Sequence, residues 1–340
     1  MSIALITLAL VWLGFITYVV LGGADFGSGV WDLFASGPTA RQQHQFISHV
    51  LGPVWEADHV WLIFLLVGLM NVFPVAFATF MSTLFIPLTI ALLGIVLRGS
   101  GFIFRTHALL AEGLSARIWS RVFSMSSVIT PFFLGISAAS VAGGRIHLSG
   151  VTTSDLLFGW VTPFGVAVGI MAVLQCATLA AVYLTAEAHN RYEKRFVASY
   201  RRKALISCVL VSILGLVCIT LSASEAPWLW NGLLTHALPF VTGTVLTGTL
   251  VLVTLLMRHY RLASLFVVLE TALMLISWGV SQYPYIIPPV LTIQQAANTS
   301  QLSMIILIVM IIGMLLVLPA LFFLFKVFKW TPATSDRSSL

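Results

Sequence analysis

Two acids and a histidine stand between two tryptophans in the run Trp55–Glu56–Ala57–Asp58–His59–Val60–Trp61. Carboxyl and imidazole groups taken partly out of water exchange protons near neutral pH, so this is a residue set suited to passing protons. On a helix, Glu56 and His59 are three residues apart and share a face, while Asp58 points elsewhere with Trp55 and Trp61 as its i±3 neighbours. Asp25 follows the first apolar run and is expected to end helix one on the same side. Asp25, Glu56, Asp58 and His59 then form a candidate proton entrance. The competing explanation is that acids in a first helical turn are favoured by the helix dipole, worth ~0.3–1 kcal/mol each. It accounts for one acid better than for two with a histidine between tryptophans.

Glu270 is the deepest acid by sequence and falls near the middle of an apolar run. A hydrogen bond to a neighbouring helix is the favoured reading, with a proton or ligand site as the functional alternative. The eight histidines fall in connections or near run ends, which argues against bis-histidine haem ligation within this chain. The three cysteines are isolated within apolar runs and read as small core residues, and no metal site is expected. Nothing matches a phosphate-binding loop, a zinc helix or a nucleophile elbow, so no catalytic residue is assigned.

These groups must be held by a membrane protein. Hydrophobic residues make up 59% of the 340, and charged residues 8%, against about a quarter charged in a soluble domain. The apolar runs span 3–21, 54–72, 75–97, 122–142, 156–184, 204–221, 233–257, 262–280 and 304–325. Each suits a helix crossing a hydrocarbon core of ~30 Å. The expected fold is therefore all-α, with about nine transmembrane helices. The second and third runs are parted only by Phe73–Pro74, so a re-entrant hairpin is the alternative there. The first run has no basic residue before it and no convincing cleavage site after it, and reads as a retained helix. Pro87, Pro131, Pro163 and Pro239 lie in or near the runs and are expected to kink them.

Arg41, Arg98, Arg105, Arg117, Arg121, the stretch from Arg191 to Lys203, Arg258, Arg261, Lys326, Lys329 and Arg337 all follow odd-numbered runs, and only Arg145 follows an even one. The positive-inside rule then places the N-terminus outside and the C-terminus in the cytoplasm. The net charge of +6 belongs to this pattern and not to a nucleic-acid surface. The basic stretch orients two helices and could meet lipid headgroups. Trp228, Trp230, Tyr283 and Tyr285 suit the outer interface, and residues 281–301 read as ordered, non-helical structure over the outer ends. We read one polytopic domain: helices one to four over 1–150, helices five to eight over 151–285, and an outer loop, helix nine and a tail over 286–340.

The segments Gly22–Gly23–Ala24–Asp25–Phe26–Gly27 and Trp55 to Trp61 resemble the second subunit of cytochrome bd-type quinol oxidases and their cyanide-insensitive relatives. Leu97–Arg98–Gly99 with Phe102 and Phe104–Arg105, the stretch from Tyr283 to Pro288, and Leu291–Thr292–Ile293 with Ala296–Ala297 agree in order along nearly the whole chain. The resemblance implies a nine-helix, haem-free subunit II that pairs as a heterodimer with a larger subunit I. That partner would carry haems b and d and the quinol site, while the complex reduces oxygen to water. It implies no cofactor on this chain, a bacterial or archaeal plasma membrane, contact with lipids, and room for a small single-helix subunit. Glu56 matches the family's acidic position after the first tryptophan. Asp58 stands where some relatives have asparagine, and Gly22 where some have aspartate. Trp55, Trp61, Arg98 and Arg105 become motif or subunit-contact candidates. The alternatives of another class are a proton-coupled secondary transporter using Glu270 and the inner acids, and a structural scaffold indifferent to them.

Overall fold

The computed structural model describes residues 2–35, 40–108, 114–146, 153–190 and 194–326. Helices α1 (Ile3–Leu33), α2 (Ala40–Val72), α3 (Pro74–Thr83), α4 (Phe85–Ala108) and α5 (Leu114–Ala142) come first. They are followed by α6 (Thr153–Phe158), α7 (Pro163–Asn190), α8 (Lys194–Glu225), α9 (Pro227–Thr235), α10 (Leu238–Leu256) and α11 (Tyr260–Ser281). The chain ends with β1 (Tyr285–Ile287), β2 (Leu291–Thr292), α12 (Ile293–Ala296) and α13 (Ser300–Phe325).

Among the described residues, eight helical stretches are long and apolar enough to cross a membrane: α1, α4, α5, α7 with the end of α6, α8, α10, α11 and α13. The bent pair α2/α3 makes a ninth if it is counted as one span. Large apolar side chains stand on the outside, such as Leu316 at 71% exposure on α13 and Leu246 at 65% on α10. Lipid tails or another apolar protein face must cover them. The chain is a multi-pass membrane protein.

Several expected boundaries move. Helix one does not stop at Leu21, because α1 runs through the glycines to Leu33, and Asp25 lies inside it. The glycines permit close approach instead of ending the helix. A Cβ on Gly27 would lie 1.8 Å from the Cys176 carbonyl oxygen on α7, so only glycine lets these backbones meet. Helix two begins at Ala40, well before the expected 54, so the Trp55 to Trp61 motif sits in mid-helix. The third run is also corrected. The chain bends by 114° between Ala57–Val72 and α3, breaks again at Leu84, and the next span starts at Phe85. Phe73 precedes a proline and leaves the α region, with φ −125° and ψ 60°, and Pro74 starts α3 at a position that needs no N–H donor. Proline acts likewise at Pro163 and Pro239, in the first turns of α7 and α10, while Pro131 lies within α5.

At the N-terminal end of α1 the bend is covered by the 285–297 segment. Ile287, Leu291, Ile293 and Ala296 join Val72, Phe73 and Ala76 in one buried cluster. The Asn298 N–H donates to the Val72 carbonyl at 2.9 Å. This is the ordered connection expected there, with a short antiparallel ribbon and one helical turn added. Trp228 on α9 meets Tyr285 edge-on at 5.7 Å, so two of the belt residues pack together.

At the opposite end the basic residues do more than orient helices. Arg201 on α8 donates from Nε to the Leu255 carbonyl at 2.8 Å and from Nη2 to the Leu256 carbonyl at 3.2 Å. Together with Arg258 at φ +62°, whose N–H reaches the Leu255 carbonyl, this closes the C-terminus of α10.

Candidate functional site

α1 lies against α2, α5 and α7, and the polar groups of the bundle collect along that contact. Asp25 and Arg98 are each 2% exposed. Arg98 on α4 pairs through Nη1 with Asp25 Oδ2, donates from Nη2 to the Asp25 carbonyl at 2.9 Å, and donates from Nε to Ser127 Oγ at 3.0 Å. Its guanidinium also lies over the rings of Phe26 and Phe123, at 4.9 and 4.8 Å. A charge held in so dry a place needs this many partners.

Asp58, 2% exposed, approaches from α2. Its carboxyl stands close enough to that of Asp25 for the two to act on each other, and its Oδ1 lies 2.5 Å from His59 Nδ1. Gly22 leaves the space over which Asp58 sits, since a Cβ there would be 3.5 Å from Asp58 Oδ2. His59 also has the Trp55 carbonyl at 2.8 Å from Nδ1, and the Trp55 ring stands edge-on to it at 5.3 Å. The His59 side chain is 39% exposed and opens the chain of groups to the outside.

The structure brings together three of the four residues expected at the entrance: Asp25, Asp58 and His59 stand in a row. Two details differ from expectation. Asp58 does not point away from His59 but bonds to it. Dipole capping also fails as an explanation of these groups, because the first turn of α2 lies at Ala40 and the dipole effect fades within one turn. The fourth member, Glu56, belongs to α2, and its side chain lies outside the described residues, as does that of Arg105.

Trp61 and Arg98 do not face a subunit surface, because both are buried within this chain, Trp61 at 4% exposure beside Tyr18, Phe26 and Cys176. Trp55 is half-buried and packs on Phe102 at 5.5 Å. Glu270 takes the structural form expected of it: Gln175 on α7 donates to Glu270 Oε2 at 2.6 Å and to Thr271 Oγ1 at 2.9 Å.

The sequence reading missed Asp32, which is 2% exposed, and its partners His44 and Ser124. The available signal was spacing, because Asp32 follows Asp25 by seven residues and so returns to the same helical face. Among the described residues, no group of three His, Cys, Asp or Glu side chains is arranged to hold a metal ion.

A bundle of long apolar α-helices with a buried, charge-paired row of polar groups at its centre defines a multi-pass membrane protein. The sequence model of the cytochrome bd terminal oxidase subunit II family matches residues 3–328, and the chain belongs to that family. It is 25% identical over 302 residues to a putative cytochrome bd menaquinol oxidase subunit II of Bacillus subtilis, covering 85% of each chain. It is 22% identical to the cytochrome bd-I ubiquinol oxidase subunit 2 of Escherichia coli, over 59% of this chain and 53% of that one. The structure of bd oxidase from Geobacillus thermodenitrificans contains a chain of the same fold, with TM-score 0.77, 23% identity, and coverage of 97% of this chain and 100% of that one. The secondary-transporter reading is therefore set aside.

Proposed function

We propose that this chain is the haem-free partner of a larger, haem-bearing subunit I in a heterodimeric quinol oxidase, and that it supplies protons to that subunit. The observation that carries the proton role is the row His59, Asp58, Asp25 and Arg98. Its buried end is charge-compensated by Arg98, and its other end is open at His59. A proton leaving the carboxyl pair through His59 would emerge on the face of α2, where a partner subunit would receive it. Glu56, one turn from His59 on the same helix, is the second acid that reading assigns to this face.

Haems b and d and the quinol site belong to subunit I on this reading. The N-terminus is external and the C-terminus cytoplasmic, supported by the division of basic residues. Two four-helix halves followed by α13 are supported by the pairings α1 with α2 and α4 with α5, repeated as α7 with α8 and α10 with α11.

The test is Asp58→Asn and Glu56→Gln in the intact complex, with quinol-driven oxygen uptake expressed per haem. Each variant keeps size and hydrogen bonding but loses the titrating group. Turnover per haem is expected to fall about tenfold, equal to ~1.4 kcal/mol on the barrier, with haem content unchanged. Full turnover per haem at every pH in both variants would discard the relay.

A further inference from the structure

Two helical turns from Asp25 along α1, roughly 10 Å, a second group of ionisable side chains closes around Asp32. His44 Nδ1 on α2 lies 2.5 Å from Asp32 Oδ1, and Ser124 Oγ on α5 donates to Asp32 Oδ2 at 3.0 Å. From α8, Lys203 stands near enough to Asp32 for their opposite charges to attract. Lys203 Nζ rests 4.8 Å from the Tyr200 ring and 5.3 Å from that of Trp31. The Asp32 side chain is fully enclosed, while that of His44 is 26% exposed. The group lies at the end of the bundle that carries Arg41, Arg117, Arg121 and Arg202, the end assigned to the cytoplasm.

Between the two groups the α1/α5 contact stays polar. Asp25, Ser28 and Asp32 share one face of α1, all buried, and Ser124 and Ser127 face them from α5. Ser127 Oγ accepts from Arg98, which holds Asp25. Gly29 keeps this seam clear, because a Cβ there would lie 2.0 Å from Ser127 Oγ. Three residues separate Ser124 from Ser127, a rise of roughly 4.5 Å that one bridging water can span.

We propose that His44 and Asp32 form a proton-collecting port that feeds the Asp25–Asp58 pair along this seam, a proposal that rests on the relay reading above. Water gives a proton to the outward ring nitrogen of His44. The imidazolium passes its Nδ1 proton to Asp32, leaving neutral imidazole protonated at Nε2 and a carboxylic acid, and water at the half-open ring then takes the Nε2 proton and returns one to Nδ1, restoring the starting tautomer. Asp32 releases the proton to seam water and returns to carboxylate, and that water protonates the Asp25–Asp58 pair. The row then has one histidine open at each end, His44 for uptake and His59 for release.

The experiment compares His44→Ala, His44→Gln, Asp32→Asn and Asp58→Asn in the intact two-subunit complex, as oxygen uptake per haem with and without free imidazole. The port predicts about a tenfold fall in His44→Ala, His44→Gln and Asp32→Asn, with the KM for quinol unchanged. Imidazole should restore His44→Ala and leave Asp32→Asn slow. If Asp32→Asn loses haem, the two His44 variants decide, since that side chain sits at the edge of the bundle. Normal turnover in both His44 variants, with Asp58→Asn slow, overturns the port and leaves the relay standing. Normal turnover in all four overturns both. Full activity of His44→Gln beside a slow His44→Ala that imidazole does not rescue shows a hydrogen-bonding strut, and also overturns the port.

Discussion

Asp25 is buried against a guanidinium, whereas Glu270 is held by an amide. The surroundings differ in the same sense. Around Asp25 the helices touch backbone to backbone, as Gly27 does at Cys176, and three further elements send polar side chains inward. Around Glu270 the contact with α10 leaves room for a side chain, with a Cβ on Gly248 at ordinary van der Waals distance, 3.8 Å from Glu270 Cγ. A formal charge inside a bundle demands several exact partners and tight walls, while a single hydrogen-bonded carboxyl needs one neighbour. On the relay reading proposed above, the first arrangement would store and move a proton. The second joins two helices.

The contrast breaks most visibly at Arg98. Arg98→Leu removes the cation and strands the Asp25 carboxyl, which should cost about 3–5 kcal/mol. Little intact complex should then be recovered from membranes. Adding Asp25→Asn to the same chain should restore part of that loss, and a double variant no better than the single would refute the pairing.

A smaller effect separates the two walls. Gly27→Ala forces a methyl into the Cys176 carbonyl and should destabilise by about 1–3 kcal/mol. Gly248→Ala meets only ordinary contact distance and should be neutral or stabilising by up to ~1 kcal/mol. Thermal unfolding of the detergent-solubilised complex reads both, and equal losses would mean the walls do not differ.

The smallest change is expected at Glu270→Gln. The new amide oxygen still accepts from Gln175 Nε2, so stability should move by less than about 1 kcal/mol. Oxygen uptake per haem should hold. A large fall in turnover would place Glu270 among the proton carriers and erase the distinction.

Much of this bundle was legible from hydropathy alone, since α8, α10 and α13 bear unbroken apolar runs and α11 is interrupted only at Glu270. The errors have physical causes. α2 starts with Arg41, Gln42, Gln43 and His44, and a helix that projects past the hydrocarbon looks like a loop to any apolar window. The glycines after Leu21 read as a stop, because their value lies in the contact with α7, which periodicity does not encode. The Asp25–Arg98 pair joins α1 to α4 across 73 positions, and local spacing is blind to that distance. Asp58 and His59 were found by residue type, but their mutual bond depends on rotamers that no sequence pattern fixes.

The bend after Val72 carries a consequence for biosynthesis. Its last carbonyls, those of Val72 and Asn71, are taken by Asn298, 227 positions beyond Asn71. A ribosome adding ~5–20 residues per second reaches that partner about 10–45 s after the bend itself has been made. The α2/α3 corner must therefore wait, its carbonyls served by water or translocon, until nearly the whole polypeptide has been inserted. Chains truncated before residue 298 should expose this corner to proteases that leave the finished protein intact.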